Sequence, residues 1–503
     1  MAGLLRPSCA DMSGASGLTR VAAVDIGATS GRVLTVQLQG EQLSIMETGR
    51  FNNGPIQVGD DWCWDVDALY SGMVQGLTQA EGVQSFGIDT WALDYAVLAG
   101  EQVIGPVRAY RDPRHARGIP IMRARMSWEE QYAITGIQDM PINTIYQVAA
   151  DEPQRIADGH LMLMVPDLLA YRATGAVGTD ITNASTTSMV DVRTRQWSPA
   201  ILAALGVPTS AFLPPEEPGM LRGHASDPRL RGLPLVGVAT HDTASAFVGA
   251  PIADRDHALV LSLGTWALIG AELATTAGQV ITPSERARDL NVTHELGVDG
   301  TVRLLRNVSG MWLLEECRRS WTQADGVNTS VTTLLEAAEL APAHQAVFDV
   351  DDPDLAAPGQ DEHTIAQHLI GRWDGSRGAV VRTILESLVT RLAQRAAELD
   401  ALLGAPRPIL HVVGGASRMR VVMQWLADAT GKTVVAGPAE ATALGNALVQ
   451  LRTLGAVSDI SAGRRCIAQL PEVRTFLPQG DRHQWEQQSE RLAAQHNQGG
   501  APT

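Results

Sequence analysis

The sequence predicts an α/β protein built from more than one domain. Three observations carry this. Strand-type and helix-type runs alternate through the C-terminal half. Two short hairpins turned on glycine recur, one near the start and one past the midpoint. The chain has 503 residues, whereas a domain takes roughly 100–200. Two to four domains are expected, with enough buried surface to need no disulfide or metal staple.

The first predicted strand is Val21-Ala-Ala-Val-Asp-Ile26, turned by Gly27-Ala28-Thr29-Ser30-Gly31, with a return over 32–38. Two β-rich runs around small turn residues read as a hairpin. A helix is expected over 67–80 and strands over 83–89 and 95–98. Phe51-Asn52-Asn53-Gly54 reads as a polar turn whose amides could meet sugar hydroxyls. A strand over 235–239 leads into a small-residue helix that starts at Thr240-His241-Asp242-Thr243. The second hairpin pairs 258–263 with 266–270 around Gly264-Thr265. No period of 20–50 residues marks a solenoid, so the recurrence reads as one duplicated module. Ile384, Leu388, Leu392, Ala396 and Leu399 share one face of a helix over 379–403. Gly404 ends it, and Pro406 and Pro408 follow. A strand over 409–413, Gly414-Gly415, a helix over 420–429, a strand over 433–436 and a helix over 440–454 complete the alternation. The domain border is expected near 249–257, where Pro251 and charged residues interrupt the apolar pattern. Small residues over 249–253 make that stretch a candidate hinge. Residues 1–19 read as a loose leader, and the polar segment after Gln479 as a partly disordered tail.

Composition excludes several classes. Hydrophobic residues make up 45% and charged ones 19%, as in ordinary globular proteins. The net charge of −16 and a single lysine, Lys432, argue against nucleic acid or an anionic membrane as partner. Cys9, Cys63, Cys317 and Cys466 form no zinc or CxxC spacing and read as reduced thiols. No early apolar stretch suits a signal peptide, and the longest uncharged run, 258–271, is too short for a bilayer. A cytoplasmic protein is expected.

The chemistry-bearing segments are few. Gly431-Lys432-Thr433 imitates the end of a Walker A loop, but Leu426 stands where its first glycine belongs. HExxH, GxSxG and protein-kinase signatures are missing. Asp25, at the end of a buried strand and before a small-residue turn, suits a phosphate site in which the carboxylate holds Mg²⁺ through water. A plain hairpin with a turn aspartate reads equally well. Asp242, just past a strand and opening a helix, suits a general base, or simply caps that helix. Gly414-Gly415-Ala416-Ser417 between strand and helix lets a flat ligand approach the backbone.

In order along the chain, these segments resemble the FGGY carbohydrate kinases, and within them the rhamnulokinases. The resemblance runs from about Val21 to Leu454. It rests on 24–32 (VDIGATSGR), 51–54 (FNNG), 87–91 (GIDTW), 109–112 (AYRD), 182–184 (TNA), 241–246 (HDTASA), 264–266 (GTW) and 440–446 (EATALGN). It implies two actin-like (ribonuclease H-like) ATPase domains with an ATP/sugar cleft between them. The sugar side would be 20–250 and the ATP side 251–480, with leader 1–19 and tail 481–503. The implied reaction moves the γ-phosphoryl of ATP to the 1-hydroxyl of L-rhamnulose, with Mg²⁺ as cofactor.

Carried over by residue, the resemblance makes Asp242 the base. It makes Ala92, His241, Thr243 and Asn307 sugar contacts. Ala28, Thr29, Ser30, Gly31, Arg32, Thr265, Glu315 and Gly415 become ATP contacts, and Asp25 the Mg²⁺ residue. Three positions depart from the family pattern. Ala92 replaces a glycine and adds a methyl to the sugar pocket. Glu315 replaces a glutamine and brings a carboxylate toward phosphates, repulsive unless a cation intervenes. Met419 replaces an asparagine and makes an adenosine-side contact apolar. Kinases of L-fuculose or L-xylulose, and a non-enzymatic actin-like nucleotide-binding protein, remain alternatives.

Overall fold

The computed structural model describes residues 17–152, 154–275, 281–355 and 359–499. Two mixed sheets dominate. The first takes β1 (Leu18–Ile26), β2 (Ser30–Gln39), β3 (Gln42–Asn52), β4 (Phe86–Thr90), β5 (Leu221–His224) and β6 (Pro234–Val236), in the order β5-β6-β4-β1-β2-β3. The second takes β7 (Ala258–Leu263), β8 (Trp266–Leu273), β9 (Thr293–Leu296), β10 (Val302–Ser309), β11 (Ile409–Val413), β12 (Thr433–Ala436) and β13 (Arg474–Phe476), in the order β9-β10-β8-β7-β11-β12-β13.

The two sheets share a plan. In the first, β3, β2 and β1 form an antiparallel meander, and β4 and β6 then add in parallel. In the second, β10, β8 and β7 form the meander, and β11 and β12 add in parallel. The recurring hairpin is thus the visible part of a duplicated sheet. The parallel strands are buried nearly throughout, which is why they read as continuous apolar runs.

Of the helices, α1 (Val66–Gln79) packs on the first sheet. Next, α2 (Asp242–Val248) follows β6, and α3 (Trp312–Asp325) follows β10. The long α4 (Arg377–Leu403), α5 (Arg420–Thr430) and α6 (Ala441–Thr453) supply the second half. Helix α4 starts at Ser376, whose hydroxyl caps Ala379 N–H, and stops at Gly404 at φ 74°. Its Ile384, Leu388, Leu392, Ala396 and Leu399 are all buried, as the periodicity predicts.

Helix α6 lies late in the sequence yet packs on the first sheet. Leu444, Ala447, Leu448 and Leu451 share a core cluster with Val21, Val36 and Leu38. Its approach to α2 is backbone to backbone: a Cβ on Gly445 would stand 1.8 Å from the Ser245 carbonyl oxygen. Only glycine permits that contact.

Three expectations change. The segment after Gln479 is not a loose tail: α7 (Arg482–Gly499) is a helix, with Trp485, Gln488 and Leu492 buried. Those residues are too sparse to give an apolar pattern, but they share one helix face. Phe51 and Asn52 end β3 instead of forming a turn, and the Phe51 ring lies over Gly31 and Gly72, where any Cβ would overlap it. The leader is described only from residue 17, and Leu18 already belongs to β1. Cys63, Cys317 and Cys466 are free and buried, whereas Cys9 lies outside the described residues. Among the described residues no helix is long and apolar enough to cross a membrane.

Candidate active site

The site forms where the parallel strands end, the edge at which open α/β sheets bind ligands. Asp25 on β1 stands in register with Asp89 on β4, and Thr90 bridges to His241. Asp242 opens α2 one residue later. Three carboxylates therefore crowd one sheet edge. Burial pushes the Asp25 carboxyl up to about 6; Arg32 opposes the rise, and Asp242 and Glu440 add to it. Burial and the charge of Asp25 raise Asp89 well above the usual carboxylate range. Asp89 Oδ2 accepts from Asn446 Nδ2 at 2.6 Å, while its buried Oδ1 has no hydrogen-bond partner.

The first turn is braced from behind. Gly27 N–H donates to Ser30 O at 2.9 Å, Asn53 N–H to Thr29 O at 3.1 Å, and Asn53 Nδ2 to Gly27 O at 2.8 Å. The Asn53 amide thus holds the Ala28–Ser30 turn, in place of the sugar contact that 51–54 suggested from sequence. Thr29 stands exposed at the tip. Arg32 donates to Asp25 Oδ2 at 2.6 Å and pairs also with Glu440, just before α6. Arg418 reaches Glu440 at 3.5 Å.

The second sheet brings its own turns to an edge. Strands β7 and β11 run parallel with Ser262 opposite Val413, so Gly264-Thr265 and Gly414-Gly415 leave the sheet side by side. Gly414 has φ 90° and lies against Leu263. Thr265 and Gly415 are both exposed. The Gly414 N–H donates to Pro438 O at 3.3 Å, which ties this loop to the segment carrying Glu440. Lys432 is not a phosphate ligand: its ammonium is buried against Asp400 at 2.5 Å and Arg407 O at 2.7 Å.

The remaining predicted residues spread outward. Asp242 is partly open to solvent and its Oδ1 accepts from Thr243 N–H and Oγ1–H. The cap of α2 is His241, and its side chain makes no capping bond. Asp180 holds this loop from below, accepting from Thr240 N–H at 3.1 Å and Thr240 Oγ1 at 3.0 Å. Ala92 is half-buried two residues beyond the β4–His241 bridge, after the buried Trp91. Trp91 packs against Trp64 with ring centroids 4.1 Å apart and planes tilted by 39°, and Asp94 accepts from both indoles. Asn307 on β10 donates to Gln138 Oε1 at 2.9 Å, across the two halves.

Two departures from the family pattern acquire a physical account. Arg318 Nη1 donates to both oxygens of Glu315, at 2.8 and 2.6 Å, so an arginine already offsets that carboxylate. Met419 packs half-buried against the second core and offers no polar group. Asp89, Asp180 and Glu440 were not singled out from sequence. An aspartate inside the apolar run 86–90 was the available signal for Asp89.

The donor set suits a hydrated Mg²⁺. Among the described residues no three His, Cys, Asp or Glu side chains close into a metal cage. Mg²⁺ keeps much of its water and takes one or two carboxylates plus phosphate oxygens. Asp25, with the unpartnered Asp89 Oδ1 beside it, offers carboxylate oxygens whose protons a cation would displace.

Residues 21–249 and 259–454 match the N-terminal and C-terminal domains of the FGGY family of carbohydrate kinases. A rhamnulokinase of Bacteroides thetaiotaomicron is 39% identical over 92% of this chain and 96% of its own. One from Enterococcus faecalis is 37% identical over 88% and 91%. Among solved structures, a ligand-bound xylulose kinase from Lactobacillus acidophilus has a TM-score of 0.76 at 15% identity, covering 95% of this chain and 97% of that one. Plasmodium falciparum glycerol kinase with ADP has a TM-score of 0.75 at 15% identity, covering 97% and 99%. At such identity these two speak for the fold alone.

Proposed function

Because the chain belongs to the FGGY family of carbohydrate kinases, we propose that its site phosphorylates L-rhamnulose at the 1-hydroxyl, with ATP as donor. The single observation that carries the substrate is its likeness to the rhamnulokinases over about nine tenths of the chain. The product is L-rhamnulose 1-phosphate, in L-rhamnose catabolism, and the compartment is the cytoplasm.

Asp242 takes the proton of the attacking hydroxyl. His241, Thr243, Asn307 and Ala92 orient the sugar. ATP phosphates lie against the turn Ala28–Arg32 and against Thr265, with Gly415 beneath the nucleoside and Glu315 on α3 nearby. Arg32, whose guanidinium is held by Asp25 and Glu440, would turn it to phosphate oxygens when ATP binds. Asp25, seconded by Asp89, holds the hydrated Mg²⁺, which when bound neutralises phosphate charge. Such sites accelerate transfer mainly by positioning and charge compensation. The sugar side is 20–250 and the ATP side 251–480, with hinge motion at 249–253.

The test is product identification. Purified protein with Mg-ATP and L-rhamnulose should give a phosphate monoester whose ³¹P signal couples to the C1 protons. No ester, or an ester on another carbon, contradicts the proposal.

A further inference from the structure

Segment 136–140 of the first half lies along the second sheet. Gly136 O accepts from His294 N–H at 2.9 Å, and Asp139 N–H donates to Asn291 Oδ1 at 2.9 Å. Between these anchors Gln138 is 8% exposed, and its carbonyl accepts from Asn143 Nδ2 at 2.7 Å. Its side-chain Oε1 accepts from Asn307 Nδ2 at 2.9 Å. Asn307 shares one face of β10 with Arg303 and Leu305, since alternate strand residues point the same way. Arg303 donates to His241 Nδ1 at 3.3 Å, and Leu305 lies in one core cluster with Ala246 and Phe247 of α2. The amide pair therefore stands on the side of β10 that faces the helix opened by Asp242.

A second thread ties the pair to Ala92. Thr144, next after Asn143, donates from Oγ1 to Leu93 O at 2.6 Å. Leu93 has φ 79°, a conformation that strains a bulky side chain. The Thr144 bond helps to hold that peptide, and with it the neighbouring Ala92, in place.

Hydrogen-bond accounting fixes what the pair presents. Asn307 Nδ2 donates to Gln138 Oε1 and also approaches Met140 Sδ, 3.8 Å away. A flipped amide would set its carbonyl against that thioether, which has no proton to give. Among the described residues, Asn307 Oδ1 and Gln138 Nε2 then have no protein partner, and neither is sealed off from open space. One bare acceptor and one bare donor complement a hydroxyl, which both gives and takes a hydrogen bond.

We propose that Gln138 is a specificity residue for the ketose: its Nε2 donates to the secondary hydroxyl at C3 or C4, and Asn307 Oδ1 accepts from that hydroxyl or its neighbour. The inference rests on the sugar-kinase reading, in which Asp242 takes the 1-hydroxyl. It gives the sugar pocket a reader built from both halves of the chain.

Two experiments decide it. Gln138→Met keeps the length of the side chain and cannot donate. It should lower kcat/KM for L-rhamnulose about tenfold or more and leave KM for ATP within about twofold. Ketoses lacking the 3- or the 4-hydroxyl complete a cycle. Wild type should lose about tenfold or more with one of them, and in Gln138→Met that loss should shrink to less than about threefold. Wild-type kcat/KM in Gln138→Met, or deoxy losses as large in the variant as in wild type, overturns the proposal. The second experiment needs no variant. A crystal structure of the wild-type protein with L-rhamnulose should place Gln138 Nε2 within about 3.2 Å of a sugar oxygen. A bound sugar with no oxygen within about 3.5 Å of that nitrogen overturns the proposal. A wild type that phosphorylates no ketose would refute the kinase reading, whereas an active wild type with an unaffected Gln138→Met refutes the role of Gln138 alone.

Discussion

At the scale of single residues, the account turns on Asp242 and Asp25. Asp242 bonds only its own helix start and faces His241, so its carboxylate is free to accept a hydroxyl proton. Asp242→Asn should reduce kcat by roughly 10²–10⁴, with Mg-ATP affinity retained; stopped assays and calorimetry on the folded variant check both. Asp25 carries the pH prediction. Burial raises its pKa to about 6 in the free protein. Mg-ATP favours the charged form, so binding should expel more protons near pH 6 than near pH 8. Calorimetry in buffers of different ionisation enthalpy reads that number directly. Proton uptake at pH 6 would contradict the assignment. Arg32, Asp25 and the Gly27–Gly31 turn were legible in the sequence because strand, aspartate and glycines adjoin one another. Asp180 and Glu440 were not, because each acquires meaning only from a partner far away in the chain, Thr240 and Arg32; Asp89 left one mark, an aspartate inside an apolar run.

At the scale of elements, local pattern worked where a segment is buried on one clear schedule. The spans of β7, β11 and β12 are those read from sequence, since parallel strands are short apolar runs between glycines. It failed where burial is sparse. The meander strand β3 is an edge strand exposed along much of its length, and its residues therefore look like loop. The last helix is polar apart from a few anchors. The crossing of α2 and α6 was also hidden, because a close approach leaves only small residues as its mark. It carries a stability prediction. Gly445→Ala places a methyl 1.8 Å from the Ser245 oxygen. It should destabilise the protein by about 1–3 kcal/mol, read as a lower urea midpoint; an unchanged midpoint would refute the contact.

At the scale of the whole molecule, the two halves are more entangled than a linear division implies. Helix α6 donates Gln450 Nε2 to Ala22 O at 2.9 Å and Asn446 to Asp89, and Ser85 Oγ donates back to Gln450 at 2.7 Å. Residues 20–250 expressed alone should therefore lack a cooperative unfolding transition. A sharp, reversible melt of that fragment would contradict this reading. The order of segments was legible from local pattern, and a cleft was implied by the resemblance. It could not show that the second half closes the first sheet, since a late helix and an early strand share no local signal.

The central claim is the transfer itself. The measurement is ADP release by the purified protein with Mg-ATP and L-rhamnulose, run beside L-fuculose, L-xylulose and a no-sugar control. The account predicts that kcat/KM for L-rhamnulose far exceeds the others, with Ala92 tolerated in the pocket. Preferred turnover of another ketose, or none with any sugar from a protein that binds ATP, would contradict it.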